Sequence, residues 1–406
     1  MEETTRARRG RPVWRNRTVI GFSLGSLFSD MGHEWVTSLT PGFLALLGAP
    51  PIALGLIEGV SGIGQSLASL WGGRRADKTP DRAPYVAVGY AATALKALYG
   101  FVGFWPWLIV IRTVAWLGRG MRGPMRDTLI ADNVPAEAYG RALGIRESMD
   151  TLGAVVGPLL GALFLARAGY RPLFFWSAIP ALLSFLAVIV FIRERRRQDS
   201  SWKRPAPSLS HRDAYATGFR RLLLADGIYG VGNVAPSFFI LAAVSGLRAA
   251  RGVTGASVTA VVLYAWYNVV YSIFALAAGA ATDKYGPRPV LVTGYAALFV
   301  CLAGFALLPP SIAVDAVLFT LAGLAAGTQD SAQKTYIRLV LPAEQQGRGF
   351  GLHASVLGWG TLASGVLVGG LWTIGRLSWG FGAAAAAALA SLLLMVFVVP
   401  TMRRQA

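Results

Sequence analysis

Long apolar stretches alternate with short polar joints along most of the chain. The runs 174–192, 290–308 and 381–399 contain no charged residue, and Pro marks joints such as Pro50-Pro51 and Pro309-Pro310. A helix needs about 20 mostly apolar residues to cross a hydrocarbon core about 30 Å thick, so these runs are long enough to span a membrane. Strand-like alternation is absent, and the pattern therefore predicts an all-α membrane protein.

The pattern predicts six membrane-spanning helices in each half of the chain. Their bounds are roughly 18–46, 53–73, 84–104, 107–131, 140–166, 172–193, 219–243, 255–279, 288–308, 311–337, 347–372 and 378–400. A loop motif is repeated, since Gly73-x-x-x-Asp77 follows the second span and Gly279-x-x-x-Asp283 follows the eighth. We therefore expect two pseudo-symmetric six-helix bundles, preceded by a basic N-terminus and joined by a linker. The predicted segments are 1–17, 18–193, 194–218 (linker), 219–400 and a tail at 401–406.

Composition and charge both point to a lipid bilayer. Hydrophobic residues make up 54% of the chain and charged residues 14%, against about 25% charged in soluble domains. The formal net charge of +18 comes largely from Lys and Arg before the first span, after the second and around 193–221. These segments share one side if the spans alternate, which is the positive-inside pattern. It predicts an inner (plasma) membrane protein with both termini cytoplasmic, and no partnership with nucleic acid.

Two further features limit the interpretation of the chain. The Arg-rich start lacks the short apolar core and small-residue cleavage site of a signal peptide, so none is expected. The single cysteine, Cys301, excludes an internal disulfide.

The duplicated loops, the two six-span halves and the polar linker resemble the major facilitator superfamily of secondary transporters, in its bacterial form with 12 transmembrane helices. Arg112 with Gly118 is similar to an Arg-containing motif in the fourth helix of that family. The segment Gly153-x-x-x-Gly157-Pro158-x-x-Gly161 is similar to a fifth-helix motif common in its antiporters, although Gly-x-x-x-Gly is also a general packing device. The resemblance implies alternating access to a cavity between the halves, and the fifth-helix motif implies efflux.

The repeated loops are predicted to form a cytoplasmic gate. A carboxylate at such a position can cap a helix start and pair with basic residues in one rocking state only. The alternative is an anchor that sets topology without gating. The predicted gate residues are Asp77, Arg82, Arg126, Asp127, Asp283 and Arg288. The repeat aligns Asp127 with Lys334, and we expect these two side chains to pair across the closed cytoplasmic side.

Buried charge marks the predicted functional site, because each ionised group in a membrane helix costs at least ~2.5 kcal/mol. In the first span, Asp30, His33 and Glu34 stand at i, i+3 and i+4 and share one helix face. Three interpretations remain open. The cluster exchanges protons against substrate, or it ligates a divalent metal ion, or it is a structural set neutralised by Lys96, by Arg112 or by both.

The two halves differ in the polar residues that their spans contain. The first half adds Glu58, Lys96 and Arg112. The basic segment from Arg119 to Asp127 is placed towards the cytoplasm, where it is expected to anchor the helix at the anionic leaflet; the alternative is that it attracts an anionic substrate. The second half offers hydrogen-bonding and aromatic side chains suited to an organic solute, namely Asp226, Asn233, Tyr264, Tyr267 and Asn268. We expect coupling in the first half and part of substrate recognition in the second.

No enzyme or cofactor signature competes with transport. The chain has no phosphate-binding Gly-x-x-x-x-Gly-Lys-[Ser/Thr] loop, and its three histidines, His33, His211 and His353, are too scattered in sequence for a catalytic metal set. We predict a secondary transporter, driven by a proton gradient, that exports an amphiphilic or charged organic molecule. The alternatives are a divalent metal or metal-chelate transporter using Asp30, His33 and Glu34, an uncoupled facilitator, and a non-transporting membrane sensor. A monomer suffices, because one chain contains both halves.

Overall fold

A computed structural model describes residues 13–79, 81–134, 136–192, 217–341 and 343–401, and within them twelve helical spans are present. They form two six-helix bundles, α1–α6 (the N bundle) and α7–α12 (the C bundle). The spans are α1 (Arg17–Leu46), α2 (Pro51–Lys78), α3 (Ala83–Ala91 and Ala92–Phe101), α4 (Pro106–Asn133), α5 (Ala136–Ala168), α6 (Tyr170–Trp176 and Ala178–Phe191), α7 (Thr217–Gly232 and 236–251), α8 (253–285), α9 (Pro287–Leu307), α10 (Ile312–Val340), α11 (Ala343–Thr373) and α12 (Leu377–Phe397).

The predicted all-α fold is confirmed, and local sequence explains where its helices begin. Asn16 caps α1, because its side-chain oxygen accepts hydrogen bonds from the backbone N–H groups of Thr18 and Val19. Pro51 starts α2 at a position where its missing N–H has no cost. Most of the predicted N-terminal segment, linker and tail lies outside the described residues, so those boundaries stay predictions.

The main departure from the predicted spans is at the junction of α7 and α8. The prediction ends one span at 243 and starts the next at 255, whereas the helical residues of α7 continue to 251 and those of α8 begin at 253, with the non-helical residue Gly252 between them. Gly252 has φ of 67°, a left-handed conformation that glycine adopts without a Cβ penalty. The break within α7 comes earlier, between Gly232 and Pro236.

The ends of the helices define two faces of the molecule. Asn16 at the start of α1 donates to the carbonyl of Asn133 at the end of α4 (2.9 Å), so the start of an odd-numbered helix meets the end of an even-numbered one. We call this face, which also carries the end of α12, the terminal face. At the opposite, distal face, the Ile52 N–H of α2 donates to Thr373 Oγ1 of α11 (3.1 Å).

Hydropathy separates the helices that hold charge from the rest. Eight described segments are long and apolar enough to cross a membrane, and one of them contains both α7 and α8. The spans that these segments leave out are α1, α3 and α4. Two of these, α1 and α4, are rich in polar and charged side chains, and α3 divides into two short helices. All three belong to the N bundle.

Small residues allow close approach between helices. A methyl group on Gly55 of α2 would lie 2.2 Å from the carbonyl oxygen of Gly365 in α11, so this seam joins the two bundles backbone to backbone. Gly153 and Gly157 of α5 approach α1 equally closely, because a methyl on either would lie 2.3 Å from a backbone oxygen of α1. The fifth-helix glycines thus pack α5 on α1 inside the N bundle.

Candidate functional site

The three predicted residues of α1 are brought together but have separate partners. Asp30 is buried and accepts two hydrogen bonds from the Arg119 guanidinium of α4, at 2.6 and 3.1 Å. A bidentate pair of this kind holds the carboxylate in its charged form. Asp30 is therefore matched by a fixed cation of its own bundle.

The basic segment of α4 corrects one sequence prediction. The prediction places Arg119 and Arg122 towards the cytoplasm as anchors, but Arg119 reaches Asp30 inside the bundle. Arg122 is buried, donates to Ser29 Oγ (2.7 Å) and lies over the ring of Tyr90. The prediction is wrong because the rotation of α4, which turns this face inward, cannot be derived from spacing alone.

His33 and Lys96 form a second buried pair. The Lys96 ammonium lies 2.6 Å from His33 Nδ1, and both residues are at most 5% exposed. An Nδ1 that accepts from Lys96 leaves the ring proton on Nε2. That nitrogen lies 3.7 Å from Glu34 Oε1, so Lys96, His33 and Glu34 follow one another in a row.

Glu34 connects the two bundles. Its Oε2 accepts a hydrogen bond of 2.7 Å from the hydroxyl of Tyr264 in α8, and its side chain is 15% exposed. The ring of Tyr264 stacks on Tyr267 with centroids 5.5 Å apart. Within the described residues, Glu34 forms no ion pair with Lys or Arg, in contrast to Asp30.

Glu58 of α2 and Arg112 of α4 form another ion pair inside the N bundle. The guanidinium Nη2 lies 2.5 Å from Glu58 Oε2, and Arg112 also lies over the ring of Trp116. Arg112 is 1% exposed, so this ion pair is held in a low-dielectric environment. The two basic residues that were expected to neutralise the α1 cluster thus have different partners. Lys96 contacts His33, and Arg112 pairs with Glu58.

The predicted metal set is not assembled in this structure. Asp30 turns to Arg119 and Glu34 to Tyr264, so the α1 side chains do not converge on one point. Among the residues whose positions are described, no group of three or more His, Cys, Asp or Glu side chains could hold a metal ion.

The C bundle contains a cavity of about 250 Å³. Two predicted residues, Asn233 and Tyr267, line it, together with apolar side chains. The other polar lining residues are Tyr229, Gln329, Asp330 and Gln333. The predicted Tyr264 and Asn268 have a different place, at the contact between bundles, where Asn268 donates to the carbonyl of Ala154 in α5 (3.1 Å).

Asp226 lies behind the cavity lining and is fully buried. It accepts hydrogen bonds from Tyr295 of α9, Gln333 of α10 (3.0 Å) and His353 of α11 (2.9 Å). Sequence reasoning missed His353 and Gln333, because their proximity to Asp226 depends on the packing of four helices. The observation that the histidines are scattered in sequence was correct, but it did not exclude a pair with an acid.

The predicted gate residues mostly bind within their own bundle. Arg82 pairs with Asp132 (3.0 Å) and donates to the carbonyl of Ala76, while Arg288 binds the carbonyls of Met395 and Val396. Asp283 lies near the end of α8 at the terminal face. The side chain of Asp77 lies outside the described residues. Gating stays a prediction.

The expected pair between Asp127 and Lys334 is not formed. Asp127 pairs with its neighbour Arg126 (3.1 Å), and Lys334 pairs with Asp330 one turn away (2.9 Å). Both arrangements are local contacts within one helix, which the alignment of repeats did not predict.

Comparison with known proteins agrees with this architecture. A family profile described as the Major Facilitator Superfamily matches residues 22–225 and 227–406. The chain is 26% identical over 376 residues to the uncharacterized MFS-type transporter MJ1317 of Methanocaldococcus jannaschii, covering 90% of each chain. It is 29% identical over 188 residues to the multidrug resistance protein MdtG of Dickeya zeae, covering 45% of each.

The same fold occurs in a solved structure. The crystal structure of a mutant of the nucleoside transporter NupG superimposes with a TM-score of 0.73 at 14% identity, over 95% of this chain and 99% of that one. This likeness concerns the fold. The profile covers nearly all of the sequence, and the protein is a membrane transporter rather than an enzyme. The chain belongs to the major facilitator superfamily.

Proposed function

We propose that the protein is a proton-coupled secondary transporter that exports a small amphiphilic or charged organic molecule across the plasma membrane. Glu34 is the coupling residue, and the cavity of the C bundle binds the solute. The observation that carries the proposal is the hydrogen bond between Glu34 and Tyr264, because a partly buried, protonatable group there forms a contact between the two bundles.

Protonation of Glu34 changes the contact between the bundles. A carboxylate is a stronger acceptor for the Tyr264 hydroxyl than a carboxylic acid is, and a hydrogen bond to a charged group contributes about 1.5–3 kcal/mol. Proton uptake therefore weakens a contact that joins α1 to α8 and favours separation of the bundles. His33, with Nε2 3.7 Å from Glu34, is placed to relay the proton.

Asp30 has a different part in this proposal. Its two hydrogen bonds to Arg119 keep it ionised, so it balances the charge of α4 and does not exchange protons. On α1, the residue proposed to exchange protons is thus Glu34 and not Asp30.

The solute site is proposed from the lining of the cavity. Amide and phenol groups around a space of about 250 Å³ can hydrogen-bond and stack on a small organic molecule. Export is supported by the likeness of 45% of the chain to MdtG, a protein named for multidrug resistance. The predicted positive-inside charge supports a plasma-membrane location with cytoplasmic termini.

The experiment is transport in proteoliposomes with a pH-sensitive dye. Lipophilic cations, organic anions, lysolipids and divalent metal ions are the probes, with wild-type protein, Glu34→Gln and the matched control Glu147→Gln, whose side chain is 63% exposed. We expect an organic probe to drive proton movement in wild type and control, with at least a tenfold loss in Glu34→Gln. Proton-independent flux in all three proteins would mean that the protein is a facilitator. Movement of metal ions alone would mean that the substrate is a divalent metal ion and not an organic molecule.

A further inference from the structure

The Asp226 carboxylate is a buried acid of the C bundle that the proposed coupling by Glu34 does not use. Its two oxygens are divided among three helices, with Tyr295 and Gln333 on Oδ1 and His353 Nε2 on Oδ2. Its exposure is 0%. An isolated carboxylate at such a place is costly, so its charge must be compensated nearby.

His353 is the group placed to compensate this charge. Within the described residues, the titratable side chains that face Asp226 from the surrounding helices are Tyr229, Tyr295, Tyr336 and His353. In the described part of the chain, neither Lys nor Arg forms an ion pair with Asp226. One proton shared by Asp226 and His353 makes the pair neutral, whereas loss of that proton leaves a buried negative charge.

Two contacts connect this pair to the solute cavity. Gln333 lines the cavity and also donates to Asp226 at 3.0 Å. Tyr229 lines the cavity and stacks on Tyr295 with ring centroids 4.2 Å apart, and Tyr295 in turn donates to Asp226. A solute that hydrogen-bonds Gln333 competes for a donor that otherwise stabilises the carboxylate.

The histidine lies on a helix that forms the seam between bundles. A methyl group on Gly351 of α11, two residues before His353, would lie 2.9 Å from Leu70 of α2. A change in the charge of the Asp226–His353 pair therefore acts on α11, the helix that packs against the N bundle.

We propose that Asp226 and His353 form a second proton-binding site, in the C bundle, whose proton is exchanged when solute enters the adjacent cavity. The link to solute rests on the proposed function. The site itself is defined by geometry alone, so it can be tested without transport.

The test is infrared difference spectroscopy of the purified full-length protein in lipid nanodiscs, titrated between about pH 5 and 8. The variants are Asp226→Asn and His353→Gln. The matched control is Ser391→Ala, which removes a hydrogen bond to the Ala225 carbonyl next to Asp226 and leaves the pair intact. We expect carboxyl and imidazole bands in wild type and control that are absent in Asp226→Asn and His353→Gln. Identical difference spectra for all four proteins would overturn the proposal.

Tyr295→Phe covers the case in which removal of a charged partner prevents folding. It deletes one donor to Asp226 and retains both members of the pair, so we expect the carboxyl band to shift in frequency and to stay sensitive to pH. A carboxyl band identical to that of wild type would contradict the proposal. Glu34→Gln leaves this site intact, so we expect it to show the same bands as wild type. The second site can therefore be present or absent independently of whether Glu34 couples protons.

Discussion

The two bundles repeat one backbone plan but bury different chemistry. The repeat that matches Gly89-Tyr-Ala-Ala with Gly294-Tyr-Ala-Ala places Lys96 of α3 opposite Cys301 of α9. Both are buried, yet one carries an amine beside His33 while the other is a thiol that donates to the Leu318 carbonyl. In the N bundle, buried acids meet Lys or Arg of the same bundle or a residue of the other one. In the C bundle, Asp226 meets phenol, amide and imidazole groups beside a cavity.

In the proposed function, this difference corresponds to two separate tasks, proton coupling in the N bundle and solute binding in the C bundle. Ion pairs such as Glu58 with Arg112 hold both side chains in place, because their separation would leave an uncompensated buried charge, so they suit a rigid set of groups around a proton site. Neutral hydrogen-bonding groups around a cavity suit reversible solute binding, because they need not separate a buried ion pair. The contact between Glu34 and Tyr264 joins the two regions.

The largest expected effect comes from breaking a buried ion pair of the N bundle. Arg112→Met leaves Glu58 without its cation, and removal of one partner from such a pair costs about 3–5 kcal/mol. We expect a large fall in the unfolding temperature of the purified protein in detergent, measured by fluorescence. The double variant Arg112→Met with Glu58→Gln is the control, and it should regain most of the loss. Equal loss in single and double variants would mean that the pair is not the source of the effect.

The seam between the bundles is the next target. Gly55→Ala places a methyl group 2.2 Å from the Gly365 carbonyl oxygen, and overpacking of this kind costs about 1–3 kcal/mol. Gly62→Ala on the same helix is the matched control, because nothing lies within 4 Å of that position. We expect lower stability for Gly55→Ala only, measured by thermal unfolding. Equal behaviour of the two variants would contradict the close contact of α2 and α11.

The link between the regions is tested by Tyr264→Phe, which keeps the ring and removes the hydroxyl that donates to Glu34. Loss of about 1.5–3 kcal/mol should change the balance between bundle arrangements at least tenfold. Spin labels at the ends of α4 and α10 on the terminal face would report this balance through distances measured by electron paramagnetic resonance. Distance distributions equal to those of wild type would remove Glu34 and Tyr264 from the contact that controls the bundles.

Substitutions in the cavity of the C bundle should change the affinity for solute and leave proton coupling unchanged. Asn233→Ala removes one hydrogen-bonding group from the cavity, and a loss of about 1 kcal/mol corresponds to a KM raised about fivefold. The number of protons moved per solute should stay as in wild type. Transport assays at several concentrations of the probe that wild type accepts would separate these quantities. A changed proton ratio with an unchanged KM would reverse the assignment.

The smallest effect is expected for the exposed pair of Lys334 and Asp330. Both side chains are about half exposed, and exposed pairs contribute about 0–1 kcal/mol. Lys334→Gln should leave thermal stability and flux close to wild type. A severe loss would instead support the pairing of Lys334 with Asp127 in another state of the transporter.

The sequence predicted the helices well because span length and hydropathy are local properties. The predicted first span at 18–46 agrees with Arg17–Leu46, and the apolar runs 290–308 and 381–399 agree with α9 and α12. The exceptions are at the junction of α7 and α8, where the non-helical residue Gly252 takes the place of a longer loop, and at α3, which divides at Ala92. Both depend on backbone torsions that hydropathy does not report.

The sequence predicted that several candidate side chains are buried, but it did not predict their partners. Buried positions of Asp30, Lys96 and Arg112 follow from charge inside apolar spans. Partners do not, because Asp30 and Arg119 lie 89 positions apart and meet only through the rotation of α1 and α4. The Asp226 pair with His353, 127 positions apart, was missed for the same reason.

The central claim is that Glu34 couples protons while the C bundle binds solute. The most direct test compares two modes of transport by Glu34→Gln in the same proteoliposomes, with the organic probe that wild type moves. Exchange of solute at equal pH needs only the cavity, whereas accumulation driven by a pH gradient also needs coupling. We predict that Glu34→Gln retains exchange and loses accumulation. Loss of both modes, or retention of both, would contradict the division between the two bundles.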